Sequence, residues 1–234
     1  MCTRLVYSGE NMITGFNFDI DLAVWNHRVL MDENRFYIGI MRPDGNYHSY
    51  HGVNRNGNVG TLLYVHGNPA AAYRDDPMYM TVADLTEQYI CGEISFDRAA
   101  ELVRTRKIVY APDATMQAML SDRNGRTLLI EPGIGFRQRR DRFSLVTNYS
   151  LLAPESTKPY IVPGDDRYER AVQMLEKYQQ RDFSVADAFS VLYHVRQEGI
   201  WATRVTFVYS AAENAVYYLE NNQFDIIQKY VFPV

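Results

Sequence analysis

The chain has 234 residues, 47% hydrophobic and 22% charged, the balance of a globular protein long enough for a sizeable core. Its net charge of −4 leaves no basic footprint for nucleic acid. Two cysteines without framework spacing, no apolar leader before the first strand and no apolar run of membrane length argue for a cytoplasmic protein with no membrane partner.

Residues 2–7 and 12–18 read as strands around Ser8-Gly9-Glu10-Asn11, a hairpin loop. Residues 35–41 and 47–53 flank Pro43-Asp44-Gly45-Asn46, a stronger turn signal, and a strand at 59–65 follows Asn54-Arg55-Asn56-Gly57-Asn58. A helical pair comes next. Thr81-Val82-Ala83-Asp84 is a capping-box pattern ahead of Val82, Leu85 and Tyr89, and Ser95 precedes the stripe Phe96, Ala99, Ala100 and Val103. Strands return at 115–121 and 127–131 across Asp122-Arg123-Asn124-Gly125-Arg126. Two more follow at 135–140 and 143–147, joined by an arginine-rich run that reads as a solvated hairpin tip. A proline-containing loop over 152–164 leads to a second helical pair at 166–179 and 185–197, the latter behind a capping box at Ser184-Val185-Ala186-Asp187. The chain closes with strands near 203–209, 215–220 and 225–232.

Sequential strands with hairpin signals imply antiparallel pairing, and each helical pair has one apolar face that must cover a sheet. The expected class is α+β: a four-layer αββα sandwich of two stacked, mainly antiparallel sheets. No repeat or linker divides it, so residues 1–234 read as one domain.

Cys2 is the residue of greatest chemical interest. A methionine before so small a residue is ordinarily removed, which leaves a thiol and a free α-amine on one residue. The thiol is a nucleophile with a pKa of about 8.5; the amine, at about 7.7–8.0, is a base near neutral pH. Position alone does not separate this from an ordinary second residue. Of His27, His48, His51, His66 and His194, only His48 and His51 are close neighbours. A three-residue step along a strand puts them on opposite faces, so no metal is expected. Cys91, before Gly92, reads as a packing residue. No glycine-rich phosphate cradle appears, and no cofactor is expected.

Several segments carry a resemblance. They are Met1-Cys2-Thr3, Gly15-Phe16-Asn17-Phe18-Asp19, Gly52-Val53-Asn54-Arg55-Asn56-Gly57, Met119-Leu120-Ser121-Asp122 with Leu129-Ile130-Glu131, Leu145-Val146-Thr147-Asn148, and Asp166-Arg167-Tyr168. In this order they resemble the choloylglycine hydrolase family of bile salt hydrolases and penicillin V acylases, which belongs to the N-terminal nucleophile hydrolases. The resemblance implies the same αββα sandwich and an amidase that cleaves a linear carbon–nitrogen amide through a thioester. Cys2 would be the nucleophile and its α-amine the proton carrier. Asp19 would hold the ammonium, with Asp21 a competitor. Asn148 and Tyr64 would face the oxyanion, Tyr64 by its backbone N–H, and Arg167 would lie near the thiol. Tyr64 falls, by counting from the Gly52–Gly57 turn, where the family has tyrosine or asparagine, and leans toward the penicillin V acylase branch.

Each residue also has a plainer reading: a turn aspartate, a strand-end asparagine, one packed tyrosine among 18, an exposed first-turn arginine. Phe16 departs from the family, which has arginine beside the thiol. Arg4 shares a strand face with Cys2 and is the candidate replacement, though a solvent-facing strand arginine is the plainer reading of it. The partner implied is a small-molecule N-acyl amide with an apolar acyl half, suggested by Trp25, Ala70, Ala71, Ala72, Tyr73, Met78 and Tyr79. Acyl transfer from the same thioester, and a binding or assembly protein without catalysis, are the alternatives; a homo-oligomer stays open.

Overall fold

Two antiparallel sheets are stacked face to face, with a pair of helices on each outer face. The computed structural model describes residues 1–178 and 183–233. In chain order the strands are β1 (Cys2–Ser8), β2 (Met12–Asp19), β3 (His27–Met31), β4 (Arg35–Met41), β5 (Tyr47–Asn54), β6 (Val59–Tyr64), β7 (Tyr79–Thr81), β8 (Lys107–Val109), β9 (Met116–Ser121), β10 (Thr127–Glu131), β11 (Gly135–Arg139), β12 (Phe143–Val146), β13 (Thr203–Ser210), β14 (Ala215–Glu220) and β15 (Gln228–Val231). The helices are α1 (Val82–Cys91), α2 (Phe96–Thr105), α3 (Pro154–Thr157), α4 (Arg167–Leu175) and α5 (Val185–His194). One sheet has the order β12-β1-β2-β13-β14-β15 and the other β11-β10-β9-β6-β5-β4-β3; β7 and β8 form a short parallel pair.

Alternation along β1 sets the layers. Cys2 and Val6 join Phe16, Phe18, Phe36, Val53 and Phe207 between the sheets, whereas Leu5 and Tyr7 face outward to Ala171 and Leu175 of α4 and Leu192 of α5. On the other outer face, Leu62, Leu120 and Leu128 pack against Leu85 and Tyr89 of α1 and Phe96 and Val103 of α2. Because β2 is covered on both faces, every one of its residues is buried. Local signals start and stop the helices as expected. Thr81 and Ser95 accept from Asp84 N and Arg98 N, Ser184 and Asp187 form a complete capping box, and α1 ends at Gly92 with φ +77°. No helix among the described residues is long and apolar enough to cross a membrane.

The four-layer sandwich is the architecture expected from the strand and helix order. Four details differ. β3, β7, β8 and α3 carry too little local pattern to be seen in advance. The helix expected over 166–179 is α4, Arg167–Leu175, and Gln179 lies outside the described residues. The last strand is confined to Gln228–Val231. Most consequentially, β11 and β12 do not form a hairpin. β11 pairs with β10 at the edge of one sheet and β12 with β1 at the edge of the other. Residues 140–142 therefore carry the chain from sheet to sheet, and the carbonyl of Arg142 accepts from Ser8 N. The reason is burial: β11 is largely exposed, whereas Leu145 and Val146 of β12 are buried and find their partners on β1.

Candidate active site

Strand register alone brings the first site residues together. β1 and β2 pair Cys2 with Phe18, so Asp19 lies beside the start of the chain. β1 and β12 pair Arg4 with Val146; carrying that register two residues further puts Asn148 opposite Cys2. The contacts agree. The Met1 ammonium donates to the backbone carbonyl of Asp19 at 2.7 Å, and Cys2 N donates to Asn148 Oδ1 at 2.5 Å. Cys2 Sγ lies 3.9 Å from the same Asp19 carbonyl. Arg167, the first residue of α4, reaches over this sheet end. Its guanidinium donates to the Cys2 carbonyl (3.2 Å), Asn148 Oδ1 (3.2 Å) and Asp19 Oδ2 (3.4 Å). Far from an exposed first-turn arginine, Arg167 is buried.

Four of the five expected residues thus form one connected cluster, and the fifth joins through its backbone. Tyr64 ends β6 in the opposite sheet, and its carbonyl accepts from Asn148 Nδ2 at 2.7 Å. Tyr64 stands opposite Met116 while Val65 N bonds Thr115 O, so both backbone polar groups of Tyr64 point away from β9, toward Asn148. Its ring is exposed rather than packed. Asp21 does not compete with Asp19: it is a surface residue that accepts from Ala23 N.

Arg4 corrects the expectation built on Phe16. It shares the inward face with Cys2, but its guanidinium runs to the Leu5 carbonyl (2.6 Å) and to Ser121 Oγ on β9 (2.9 Å), away from the thiol. Phe16, its cross-strand partner, stacks on His51 at 5.2 Å between centroids.

Sequence reading missed the residues that hold this cluster in place. Asp165 takes Arg167 in a two-point fork, Nε and Nη2 each at 2.7 Å. Thr203 and Gln197 donate to the Asp19 carboxylate at 2.6 and 3.3 Å. The buried Glu131 carboxylate binds Ser150 Oγ and accepts from Leu151 N at 2.7 Å, which fixes the loop after Asn148. Asp165 was the readable one, an acid just ahead of a helix start, but Asp166 beside it offers the same signal. Thr203 is found only through the β2–β13 register, which pairs it with Asp19.

Burial dominates the electrostatics. It pushes the Cys2 thiol up to about 11, with the Met1 ammonium pulling the other way. It pushes Asp19 up to about 7, against the Met1 ammonium and Arg167. Burial also works to raise Asp165, but the Arg167 fork outweighs it and holds that carboxyl below its usual range.

The thiol opens onto a cavity of about 990 Å³ between the sheet ends. Met1, Cys2, Asp19 and Tyr64 form one part of its wall; Phe18, Trp25, Leu62, Met116, Val162 and Trp201 give the rest an apolar character. Ala72 and Tyr73 line it as well, whereas Ala71 packs with Val65 and Tyr110, and Met78 is exposed.

No protein-family model matches the sequence, and no curated protein does. Solved structures do match. A cysteine-to-alanine variant of the conjugated bile acid hydrolase from Clostridium perfringens superposes with a TM-score of 0.76 at 14% identity, over 99% of this chain and 92% of that one. The fold is shared with that hydrolase. Penicillin V acylase from Agrobacterium tumefaciens gives 0.67 at 17% identity, over 94% and 83%. The Caenorhabditis elegans ortholog of N-acylethanolamine-hydrolyzing acid amidase gives 0.58 at 15%, over 90% and 93%. The first two are the kinds of enzyme that the resemblance named, and the sandwich it implied is the one observed.

Proposed function

We propose that this protein is an amide hydrolase whose nucleophile is Cys2 once the residue before it has been removed. The observation that carries this reading is the placement of Cys2 in the wall of an apolar cavity, with Asp19, Asn148 and Arg167 all bonded to the Met1–Cys2 segment. The three structural neighbours are by name a hydrolase, an acylase and an acid amidase, which favours the same class.

With Met1 in place the site is latent. The nitrogen of Cys2 is an amide and no base, the thiol is held neutral by burial, and Met1 fills cavity wall where a substrate carbonyl must approach. Removing Met1 frees the amine. The neutral amine takes the thiol proton as sulfur attacks the amide carbon, and the carbonyl π pair moves onto oxygen. Asn148 Nδ2 carries two hydrogens; one goes to the Tyr64 carbonyl, and the other serves the oxyanion together with Tyr64 N–H. As the oxyanion collapses, the ammonium hands its proton to the leaving nitrogen and the C–N bond breaks, leaving a thioester. Water, deprotonated by the same amine, attacks the thioester. Collapse expels sulfur, which regains its proton and releases the acid. Arg167 steadies the Cys2 carbonyl and adds positive field at the thiol, while Asp19, held by Thr203 and Gln197, balances the ammonium. The apolar cavity suits a small N-acyl amide with an apolar acyl half.

Intact mass spectrometry of the purified protein tests the first step, with loss of Met1 expected. An activated N-acyl amide should then yield a stoichiometric acyl adduct on Cys2, absent in Cys2→Ala. Retained Met1 together with no adduct overturns the reading. Release of acyl amide instead of acid, when an amine is supplied, would redirect it to acyl transfer.

A further inference from the structure

His51 lies in the cavity wall but has no part in the chemistry above. It is 4% exposed. Its surroundings determine what it can offer. The β4–β5 register slips between Ile38 and Gly39, which pair with His51 and Ser49 and leave Tyr50 as the extra residue of a β-bulge. Bulges re-aim side chains next to functional sites, and both Tyr50 and His51 line the cavity here. On its other side β5 stops pairing with β6 at His51 and Thr61. Beyond that point Leu62 N donates not to a ladder carbonyl but to His51 Nδ1, at 3.2 Å. The imidazole also lies against Phe16 and Phe18, at centroid distances of 5.2 and 4.9 Å.

These contacts fix the tautomer. Nδ1 accepts, so the neutral ring carries its hydrogen on Nε2. Burial, with His27 adding to it, pushes the pKa down to about 3, so the ring stays neutral at working pH. With Nδ1 engaged and the ring packed on Phe16 and Phe18, the Nε2 edge is what remains to face the cavity. The guanidinium in the lining, that of Arg42, is tied to Asp113. Phe18 is the cross-strand partner of Cys2, so the His51 edge lies on the thiol's side of the cavity.

We infer that His51 is a specificity-determining residue, donating from Nε2–H to a neutral acceptor oxygen carried by the acyl chain. The preferred acyl group bears an ether, hydroxyl or keto oxygen on the part of the chain that lies against Phe16, Phe18 and His51. A plain alkyl chain leaves the buried N–H without a partner, which is what makes such a site selective. The inference rests on the hydrolase reading for its substrate class but is tested by binding alone.

The chain's two tryptophans, Trp25 and Trp201, both line the cavity, so intrinsic fluorescence reports occupancy. Cys2→Ala protein is titrated with decanoyl methylamide and with ether analogues in which successive methylenes are replaced by oxygen. At least one oxygen position should tighten binding about five- to tenfold over the parent, the range of one hydrogen bond. His51→Asn in the Cys2→Ala background keeps an acceptor for Leu62 N–H and removes the deep donor; the ether analogues should then bind no more tightly than the parent amide. His51→Gln, which returns an N–H at similar reach, should restore most of the gain. A series with no preferred oxygen position, or a gain that survives His51→Asn, overturns the role of His51. If the oxygen preference holds but the Cys2 protein turns over none of these amides, the hydrolase reading fails and the binding role stands.

Discussion

Arg4 and Arg167 are both withdrawn from water, at 0% and 3% exposed; Arg4 belongs to the strand that carries Cys2, and Arg167 bonds its first residue. Their surroundings differ. Arg167 meets Asp165 in a fork and Asp19 at 3.4 Å, and these carboxylates outweigh the burial that opposes its charge. Arg4 meets a backbone carbonyl and a hydroxyl, its Nε has no partner, and burial pulls its pKa down. Depth is the same, so depth is not what makes a site. Positive field persists in an interior where carboxylates hold it, and that happens at the end of β1 occupied by Cys2. Two residues further along, the same side chain is a costly way to fill space between the sheets.

The sharpest way to break this contrast is Arg167→Ala. It strands Asp19 and Asp165 in the interior and should cost about 3–5 kcal/mol of stability, read from urea midpoints. Acylation of Cys2 should fall with it, and Arg167→Lys, which lacks the fork, should recover only part. Wild-type stability in Arg167→Ala would show that the cluster is not held by charge.

A second test probes the latent thiol. A pKa raised to about 11 means that thiolate is scarce below that pH and grows tenfold with each unit. In Cys91→Ser protein that retains Met1, alkylation of Cys2 should be slow at pH 7 and rise about a thousandfold by pH 10. A rate flat over that range would mean an already ionised thiol.

Arg4→Met is expected to move the other way from Arg167→Ala. It keeps most of the side-chain volume and removes an unsatisfied nitrogen, and the Leu5 carbonyl retains the Thr14 hydroxyl. Ser121 loses one partner, so a gain of about 1–2 kcal/mol is expected, with Cys2 acylation unchanged. A large loss of stability would show that the Arg4 charge is compensated after all. Thr203→Val takes one hydrogen bond from Asp19 and removes the acceptor of Gln197 N, and should cost about 1–2 kcal/mol.

Much of this was readable from residue order. The Ser8–Asn11 loop and the alternation around it fix the β1–β2 hairpin, and that register alone puts Asp19 next to Cys2. The helices were legible because caps and apolar stripes are local. Asn148 and Arg167 were reached only through resemblance, since nothing near them in sequence distinguishes a strand-end asparagine or a first-turn arginine from an ordinary one. In sequence His51 suggests only a metal ligand, which its strand spacing from His48 disfavours; the bulge that re-aims it has no signature in Tyr47–Asn54.

The sequence by itself determined most of the strands and the longer helices, their apolar faces and that a thiol stands at the start of an inner strand. Those follow from periodicity and turn chemistry, which act over a few residues. Tertiary structure decided that β11 and β12 belong to different sheets, that Arg4 turns toward β9, that Asp165 rather than Asp166 grips Arg167, and that His51 joins the cavity wall with Nδ1 held by Leu62 N–H. All but the Asp165–Arg167 fork depend on a partner further away along the chain, and the energy of a buried polar group is set by who meets it.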